Sequence, residues 1–385
     1  STLAHVGHMV NDKKARRWVY TVTALKSFKV AVPLVIAVVV APLIVVGVLV
    51  TQTARSTIAE RQRFDIMDTF LVPSWNKPGC NGAMEHCDRR VDQLVWATSH
   101  NSMSNAEDMW IAPNHDRSVE THLDLGVRSL GLDVYTQNST AGVPVAYLCH
   151  SNCLMGKVTM SGYMSRVKAW LDRNPNEVIV IILEMYANKT ETVEALNTSG
   201  IYDMLWELEY TGLVGKSIVW PTLRQMIDAD KRILMMSNAE WTKRGAFPKI
   251  AFQFTVTLES PYALGEKVQM LNASSGGTGP MCGEDGDAGT RGLGSIDATA
   301  TDNANGVYIL NHFLTRPLAA RYLAKAVNYN PLLGDRVEEC MRRMRKLPNF
   351  ISVDFVTVGD LIKVVDDLNK RVPALTAEGG LSYIS

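Results

Sequence analysis

Short runs of apolar and β-branched residues alternate with stretches of helical periodicity along most of the chain. Eight runs have the length and composition of buried β-strands. They lie at 93–99, 127–135, 144–149, 177–186, 232–238, 251–257, 306–312 and 349–356. The helical patterns between them lie at 164–172, 190–213, 222–229, 335–346 and 359–370. Strands that alternate with helices indicate parallel crossovers, so the pattern predicts an α/β (β/α)₈ TIM barrel, with an open doubly wound sheet as the alternative.

One apolar run is much longer than any predicted strand. Val30 to Val50 contains 21 uncharged residues, which matches the length needed to cross a hydrocarbon core of about 30 Å. Lysines and arginines precede this run, whereas acidic and basic residues are mixed after it, so we expect the N-terminus to be cytosolic. The run therefore predicts a transmembrane helix before a lumenal or extracellular barrel. A cleaved signal peptide, which would give a secreted protein, and a buried helix are the alternatives.

These patterns divide the chain into five predicted segments. They are a cytosolic basic tail at 1–29, a transmembrane anchor at 30–50, a stalk at 51–75, the barrel at 76–372 and a C-terminal tail at 373–385. Within the barrel, 274–306 is long, rich in Gly and Asp, and poor in apolar residues. A loop of this kind is either functional, at the catalytic face of the barrel, or disordered.

Cysteine usage agrees with an oxidising compartment, because all six cysteines follow the long apolar run. Their spacing suggests the pairs Cys80 with Cys87, Cys149 with Cys153, and Cys282 with Cys340, although other connectivities remain open. Four glycosylation sequons also follow that run, at Asn138, Asn188, Asn197 and Asn272. Lys and Arg together equal Asp and Glu, 39 each, so charge does not indicate a nucleic-acid partner. No protein partner can be inferred.

Polar residues stand at the carboxyl ends of most predicted strands, where a TIM barrel carries its active site. They are His100, Asn101, Asp133, His150, Glu184, Asn238, His312 and Asp354. Two histidines, with ordinary pKa values near about 6.5, suit general base and general acid chemistry near neutral pH. The oxygen ligands Asn101, Asp133 and Glu184 favour a hard cation such as Ca²⁺. Together they indicate phosphodiester cleavage, in which negative charge develops on the phosphorus oxygens.

Six segments contain these residues in a characteristic order and spacing. They are SHNSMS, LDLGVRSLGLDVY, YLCHSNC, WLDRNPNEVIVIILEMY, YILNHFL and NFISVDFVTVGDLIKVVDDLN. Together they resemble the X-domain family of phosphatidylinositol-specific phospholipases C, in particular its divergent single-domain eukaryotic members. The resemblance covers about residues 90 to 370 and implies a distorted TIM barrel. It also implies an enzyme that cleaves a phosphatidylinositol or glycosyl-phosphatidylinositol lipid into diacylglycerol and an inositol phosphate.

The resemblance implies a role for each histidine. His100 would take the proton from the inositol 2-hydroxyl, which then attacks phosphorus to form a cyclic phosphodiester. His150 would protonate the diacylglycerol oxygen that leaves and would then activate water. Asp354 is predicted to orient a histidine, as a carboxylate often does for a base, and Arg128 matches an arginine common in the family. A capping or ion-pair role for Asp354 and a salt bridge at Arg128 are the alternatives.

In the calcium-dependent branch of the family, the resemblance implies Asn101, Asp133 and Glu184 as ligands. That branch has a second acidic ligand where this chain has Gly131. The metal-free bacterial branch carries an arginine at the position of Asp133, which this chain lacks. Without a cation or that arginine nothing obvious neutralises the phosphate, so we expect Ca²⁺ to be used.

Two other functions stay open at this point. One is a phosphodiesterase of another lipid headgroup on the same barrel, and the other is a catalytically inactive barrel that binds lipid or glycan. Gly131 favours the inactive barrel, whereas the presence of both His100 and His150 counts against it. His312 is expected to be structural. The remaining histidines, which have no comparable context, are His5, His8, His86, His115 and His122.

Overall fold

The computed structural model describes residues 78–150, 153–211, 217–262, 264, 282–283, 291–292, 306–315 and 318–377. The predicted basic tail, membrane anchor and stalk lie outside these residues, as do the sequon at Asn272 and most of 274–306. Within the described ranges, each helix is too short or too polar to span a bilayer.

Strands and helices alternate along the described chain. In chain order the strands are β1 (Trp96–Ser99), β2 (Ser129–Asn138), β3 (Pro144–Leu148), β4 (Val158–Thr159), β5 (Ile179–Tyr186), β6 (Glu209–Thr211), β7 (Ser217–Val219), β8 (Ile233–Ser237), β9 (Ala251–Phe252), β10 (Thr257–Glu259), β11 (Arg291–Gly292), β12 (Val307–Asn311) and β13 (Phe350–Val353). The α-helices are α1 (Val119–Leu125), α2 (Met160–Arg173), α3 (Lys189–Thr198), α4 (Leu223–Asp228), α5 (Gln253–Val256), α6 (Arg321–Val327), α7 (Leu332–Met344) and α8 (Leu361–Ala377).

Eight of these strands pair in parallel, in the order in which they occur along the chain. One arm of the sheet runs from β1 through β2, β5 and β8 to β9, and the other runs from β13 through β12 to β10. The last strand, β13, pairs with the first, β1, with Trp96 opposite Phe350. This closure is that of an α/β barrel of parallel strands. The barrel is open between β9 and β10, which end the two arms of the parallel path and are joined by the single turn α5.

Two of the eight predicted strands are wrong as barrel strands. The run at 144–149 forms β3, which returns antiparallel along β2 and places Leu148 opposite Val134. The pairing is antiparallel because the connection at 139–143 is short, whereas a parallel crossover needs a dozen or so residues. The run at 251–257 divides into β9 and β10 around α5. The barrel therefore has eight parallel strands, but not the eight that the pattern indicated.

The predicted helices differ from the observed helices mainly in where they end. The helix predicted at 190–213 ends at Thr198, because Gly200 follows with φ 76°, a left-handed conformation that stops a helix. Helix α8 continues to Ala377, past the predicted end of the barrel at 372. Helix α2 is capped by Thr159, the residue before its first turn, whose side chain accepts a hydrogen bond from the backbone N–H of Gly162. Its apolar face, which includes Tyr163 and Trp170, is buried against the barrel core.

The three predicted disulfide pairs are confirmed. They are Cys80–Cys87, Cys149–Cys153 and Cys282–Cys340. The third bond attaches residues 282–283 to α7.

Three histidines are buried in the barrel, and this burial is the main reason why their pKa values are lowered. Burial lowers the pKa of His115 to about 4 and, with the nearby Arg336 guanidinium, the pKa of His312 to about 3. Burial also holds the pKa of His122 well below its ordinary value. The ring of His312 donates from Nε2 to the carbonyl of Val327 at 3.0 Å, as expected of a structural residue.

We expect the free energy of unfolding to fall as the pH decreases from about 6.5 towards 4, because only the unfolded chain protonates these histidines in that window. The expected loss between pH 6.5 and 5 is at most about 2 kcal/mol per histidine. Urea unfolding at several pH values measures it. In His312→Gln, which keeps a donor and an acceptor, we expect a shallower pH dependence than in the wild type. Identical slopes would contradict the prediction.

Candidate active site

The carboxyl ends of the parallel strands surround an open cleft. Three carboxylates line it, from Asp133, Glu184 and Glu259, and none of the described lining residues is Lys or Arg. A phosphate group that entered the cleft would therefore face negative charge on several sides. The cleft can therefore bind an anionic substrate only if positive charge neutralises these carboxylates.

His100 follows β1 and is held from both sides. Because Ser99 of β1 lies opposite Val353 of β13, the next residues of both strands, His100 and Asp354, are brought together. Nδ1 of His100 donates to Asp354 Oδ1 at 2.9 Å, which places the basic lone pair of the neutral ring on Nε2. The ring of Phe313 stacks on the imidazole with centroids 3.8 Å apart.

His150 reaches the same place from the hairpin strand β3 rather than from a parallel strand. The backbone N–H of Cys149 donates to the carbonyl of Asp133 at 3.3 Å, which holds the end of the hairpin on β2. The ring centroids of His150 and His100 are 6.5 Å apart and their planes are inclined at 74°. At this separation the two rings can contact the same substrate group.

The two histidines have opposite pKa shifts. Burial would lower the pKa of His100, but the carboxylates of Asp354, Asp133 and Glu184 outweigh it, and the pKa is raised. Burial and the nearby His100 ring lower the pKa of His150. These directions favour a charged His100 and a neutral His150, the reverse of what a base and an acid need. Positive charge bound at Asp133 and Glu184 would cancel their effect on the pKa of His100 and would favour its neutral form.

The two predicted acidic ligands lie side by side. Asp133 of β2 is opposite Glu184 of β5 in the parallel register, so both side chains project from the same face. The hydroxyl of Tyr186 donates to Glu184 Oε1, and its ring stacks on Tyr135 with centroids 4.6 Å apart.

Asn101 completes the predicted ligand set. It adopts φ 51°, which asparagine tolerates better than most residues, and its Nδ2 donates to His100 Nε2 at 3.1 Å. A Cβ atom at Gly131 would lie 3.7 Å from both Asn101 N and His100 Cα, so a side chain at this position would point towards this pair. Gly131 therefore supplies no side chain beside His100 and Asn101.

The donor chemistry fits a hard cation, since carboxylate and amide oxygens are the ligands that Ca²⁺ prefers. Within the described residues, however, no three His, Cys, Asp or Glu side chains are grouped to hold a metal. The remaining ligand positions would therefore have to be filled by water and by oxygens of the substrate.

Three comparisons with known proteins bear on this site. A family model described as PI-PLC X matches residues 86–272. The chain is also 29% identical to PI-PLC X domain-containing protein 1 of Arthroderma benhamiae, across 75% of this chain and 89% of that protein. Residues 86–272 of this chain match the PI-PLC X-domain family. The family prediction made from the sequence is confirmed.

More distant relatives of this X-domain chain differ in length. An uncharacterized secreted protein of Arthroderma benhamiae is 24% identical over 80% of the chain, and a PI-PLC X domain-containing protein of Arabidopsis thaliana is 22% identical over 73%. The matches span only 66% and 63% of these two proteins. Among solved structures, a phosphatidylinositol-specific phospholipase C from Listeria monocytogenes is 16% identical with a TM-score of 0.46, covering 74% of this chain and 94% of that one.

Arg128 does not join the other predicted residues of the X domain. It precedes β2, and its Nε donates to Glu177 at 2.7 Å just before β5, so the pair lies at the amino ends of the strands. Its Nη1 donates to the carbonyls of Leu123 and Val127, and its guanidinium lies 4.6 Å from the Trp170 ring. The structure therefore assigns Arg128 the salt bridge and places it opposite the cleft.

Sequence reasoning missed several polar residues of the cleft. Glu259 ends β10 and accepts hydrogen bonds from Asn311 Nδ2 at 3.0 Å and from Gln253 Nε2 at 3.2 Å. The merging of β9 and β10 into a single predicted strand concealed both Gln253 and Glu259. The sequence signal that could have identified this group is Asn311, a polar residue at the end of the apolar strand β12, directly before His312.

Proposed function

We propose that the protein cleaves the phosphodiester bond of a phosphatidylinositol-type or glycosyl-phosphatidylinositol lipid by two-histidine acid–base catalysis. The observation that carries this proposal is the pair of imidazole rings 6.5 Å apart at the cleft, with His100 held by Asp354 at 2.9 Å. Two such groups on either side of a phosphate can remove one proton and supply another in a single displacement.

The first step forms a ring. Nε2 of His100 takes the proton from the inositol 2-hydroxyl, whose oxygen attacks phosphorus and forms the cyclic phosphodiester. The bond from phosphorus to the diacylglycerol oxygen breaks, and His150 gives that oxygen a proton. In the second step His150 takes a proton from water, the water oxygen opens the ring, and His100 returns its proton to the 2-oxygen. Asp354 keeps His100 in the tautomer that both steps require.

Asn101, Asp133 and Glu184 would hold a Ca²⁺ ion, which when bound supplies positive charge against the phosphate oxygens. This assignment agrees with the excess of carboxylates in the cleft and with the absence of Lys and Arg from its described lining. Without such an offset, Asp133 and Glu184 would repel the phosphate that the histidines must contact.

Exposed apolar side chains beside the site support a lipid substrate. Leu154 follows Cys153 and is 88% exposed, and Met109 and Ile111 on the neighbouring loop are 76% and 56% exposed. The two loops are joined by the N–H of Ile111, which donates to Met155 O at 2.7 Å. Large exposed apolar residues grouped in one place are typical of a surface that meets a membrane or a partner.

We further propose that the barrel acts on the lumenal or extracellular side of a membrane, held there by the predicted anchor at 30–50 or secreted after its cleavage. The three disulfides support an oxidising compartment. A relative of 24% identity that is described as a secreted protein supports the secreted form.

The purified protein, assayed with phosphatidylinositol vesicles, is expected to release inositol phosphate in calcium and to lose about 10²-fold in rate with chelator. Asp133→Asn should cause a loss of similar size, because it removes one of the proposed ligands. The matched control is Glu194→Gln on the exposed side of α3, which should leave the rate unchanged.

Equal turnover with chelator and with calcium would refute the role of the cation. Gly131 supports one rival function, a barrel that binds lipid without cleaving it, since the absent ligand weakens charge offset. A folded protein that binds the vesicles but cleaves neither phosphatidylinositol nor glycosyl-phosphatidylinositol would favour that rival or a different headgroup.

A further inference from the structure

We propose that Asn114 is a positioning residue that holds the Asp354 carboxylate against His100. The inference rests on the proposed function, because it concerns the orientation of the proposed base. Asn114 lies in the loop between β1 and α1 and had no predicted role. It does not touch the cleft itself, and any effect on the reaction passes through Asp354.

One carboxylate oxygen receives both donors. Nδ2 of Asn114 donates to Asp354 Oδ1 at 3.0 Å, and Nδ1 of His100 donates to the same oxygen at 2.9 Å. Asn114 is 1% exposed and Asp354 is 5% exposed, so water does not compete freely for these bonds. Nδ2 of Asn328 donates to the backbone carbonyl of Asp354 at 2.8 Å, which fixes the main chain below the carboxylate. Two donors from separate segments therefore define where Oδ1 lies.

The backbone around Asn114 ties the loops after β1 and β13 together. The carbonyl of Asn114 accepts from the N–H of Phe355 at 2.8 Å, directly after Asp354. The next residue, His115, donates from Nε2 to the carbonyl of His100 at 2.6 Å. The segment at 114–115 thus contacts both loops that carry the His100–Asp354 pair, and it sets the distance between them.

Stability alone does not account for an asparagine at this position. Its Oδ1 is buried and has no hydrogen-bond partner among the described residues, and an unsatisfied buried oxygen is unfavourable. A leucine of similar size would bury no such atom. What only the asparagine supplies is the Nδ2 donor to a charged carboxylate, a strong and directional hydrogen bond.

Asn114→Leu is expected to lower kcat for the lipid about 10- to 100-fold with little change in KM, because a misplaced base loses rate rather than binding. Combined with Asp354→Asn, the same substitution should add almost no further loss, since the carboxylate it orients is already gone. The free energy of unfolding should change little, because removal of the unsatisfied Oδ1 offsets the lost bond to the Asp354 carboxylate. If Asn114→Leu does not fold, Asn114→Ala is measured in its place.

The matched control is Asn369→Leu. Asn369 is equally buried in α8 and bonds to the backbone of Val95 before β1, away from the cleft. It should lower stability and leave kcat unchanged. Full kcat in a folded Asn114 variant, or fully additive losses with Asp354→Asn, would overturn the inference.

A crystal structure of the Asn114 variant supplies a readout that needs no activity. We expect the Asp354 carboxylate to turn away from His100 Nδ1 in the variant. If the wild type cleaves no lipid but this rotation is seen, the positioning stands and the proposed function fails. If the carboxylate stays in place, the inference fails whatever the activity of the wild type.

Discussion

Replacing His100 by alanine is expected to lower the rate of phosphatidylinositol cleavage about 10²- to 10⁴-fold, the range typical of a lost general base. The ring is the only group placed between Asp354 and the cleft that can accept the proton of the attacking hydroxyl, within the part of the chain that the structure describes. Turnover of phosphatidylinositol vesicles measures the loss, and circular dichroism shows whether the variant is folded.

His86→Ala is the matched control, because His86 lies in the short helical turn at 84–86 and does not line the cleft. It should keep the wild-type rate. A His100→Ala variant that retained more than about a tenth of the wild-type rate would contradict the role of His100 as the base.

Arg128→Met is expected to destabilise the protein by about 3–5 kcal/mol, because it leaves the carboxylate of Glu177 buried without its cation. Both side chains are about 95% buried, with relative exposures of 4% and 5%, and they are joined at 2.7 Å. Urea unfolding measures the loss. The molecules that remain folded should turn over lipid at the wild-type rate, since Arg128 lies at the amino ends of the strands.

The double variant Arg128→Met with Glu177→Leu distinguishes the loss of stability caused by an unpaired buried charge from the loss caused by altered packing. Removing both charges should recover much of the lost stability, because no unpaired ion is then buried. A large fall in kcat for folded Arg128→Met, with binding intact, would instead restore Arg128 to the catalytic residues.

The predictable part of this protein is the part that depends on local pattern. Alternating apolar runs and helices predicted parallel pairing, and most strand positions agree with the structure. The run at 144–149 shows the limit, because its composition suits a parallel strand and a hairpin strand equally well. What decides between them is the connection at 139–143, which is too short for a parallel crossover and allows only an antiparallel return.

The residues of the site also divide into those that the sequence predicts and those that it does not. His100 and His150 could be singled out because each follows an apolar run and because the family resemblance assigns each a role. Arg128 is grouped with them only through the family resemblance, since it lies at the start of the predicted strand at 127–135, at the end opposite the predicted site. Asn114 could not be predicted, since its contact with Asp354 joins residues 240 positions apart, and no periodicity indicates such a contact.

The pairing of β13 with β1 has a consequence for the timing of synthesis. His100 and Asp354 are separated by 254 positions in the chain and meet only when the last strand closes on the first. A chain that is still emerging from the ribosome has made His100 long before Asp354, so its imidazole is unsupported until β13 and the residue after it have been synthesised. On the proposed function, a nascent chain crossing a membrane is thus unable to degrade the lipids around it until β13 has been made and has paired with β1.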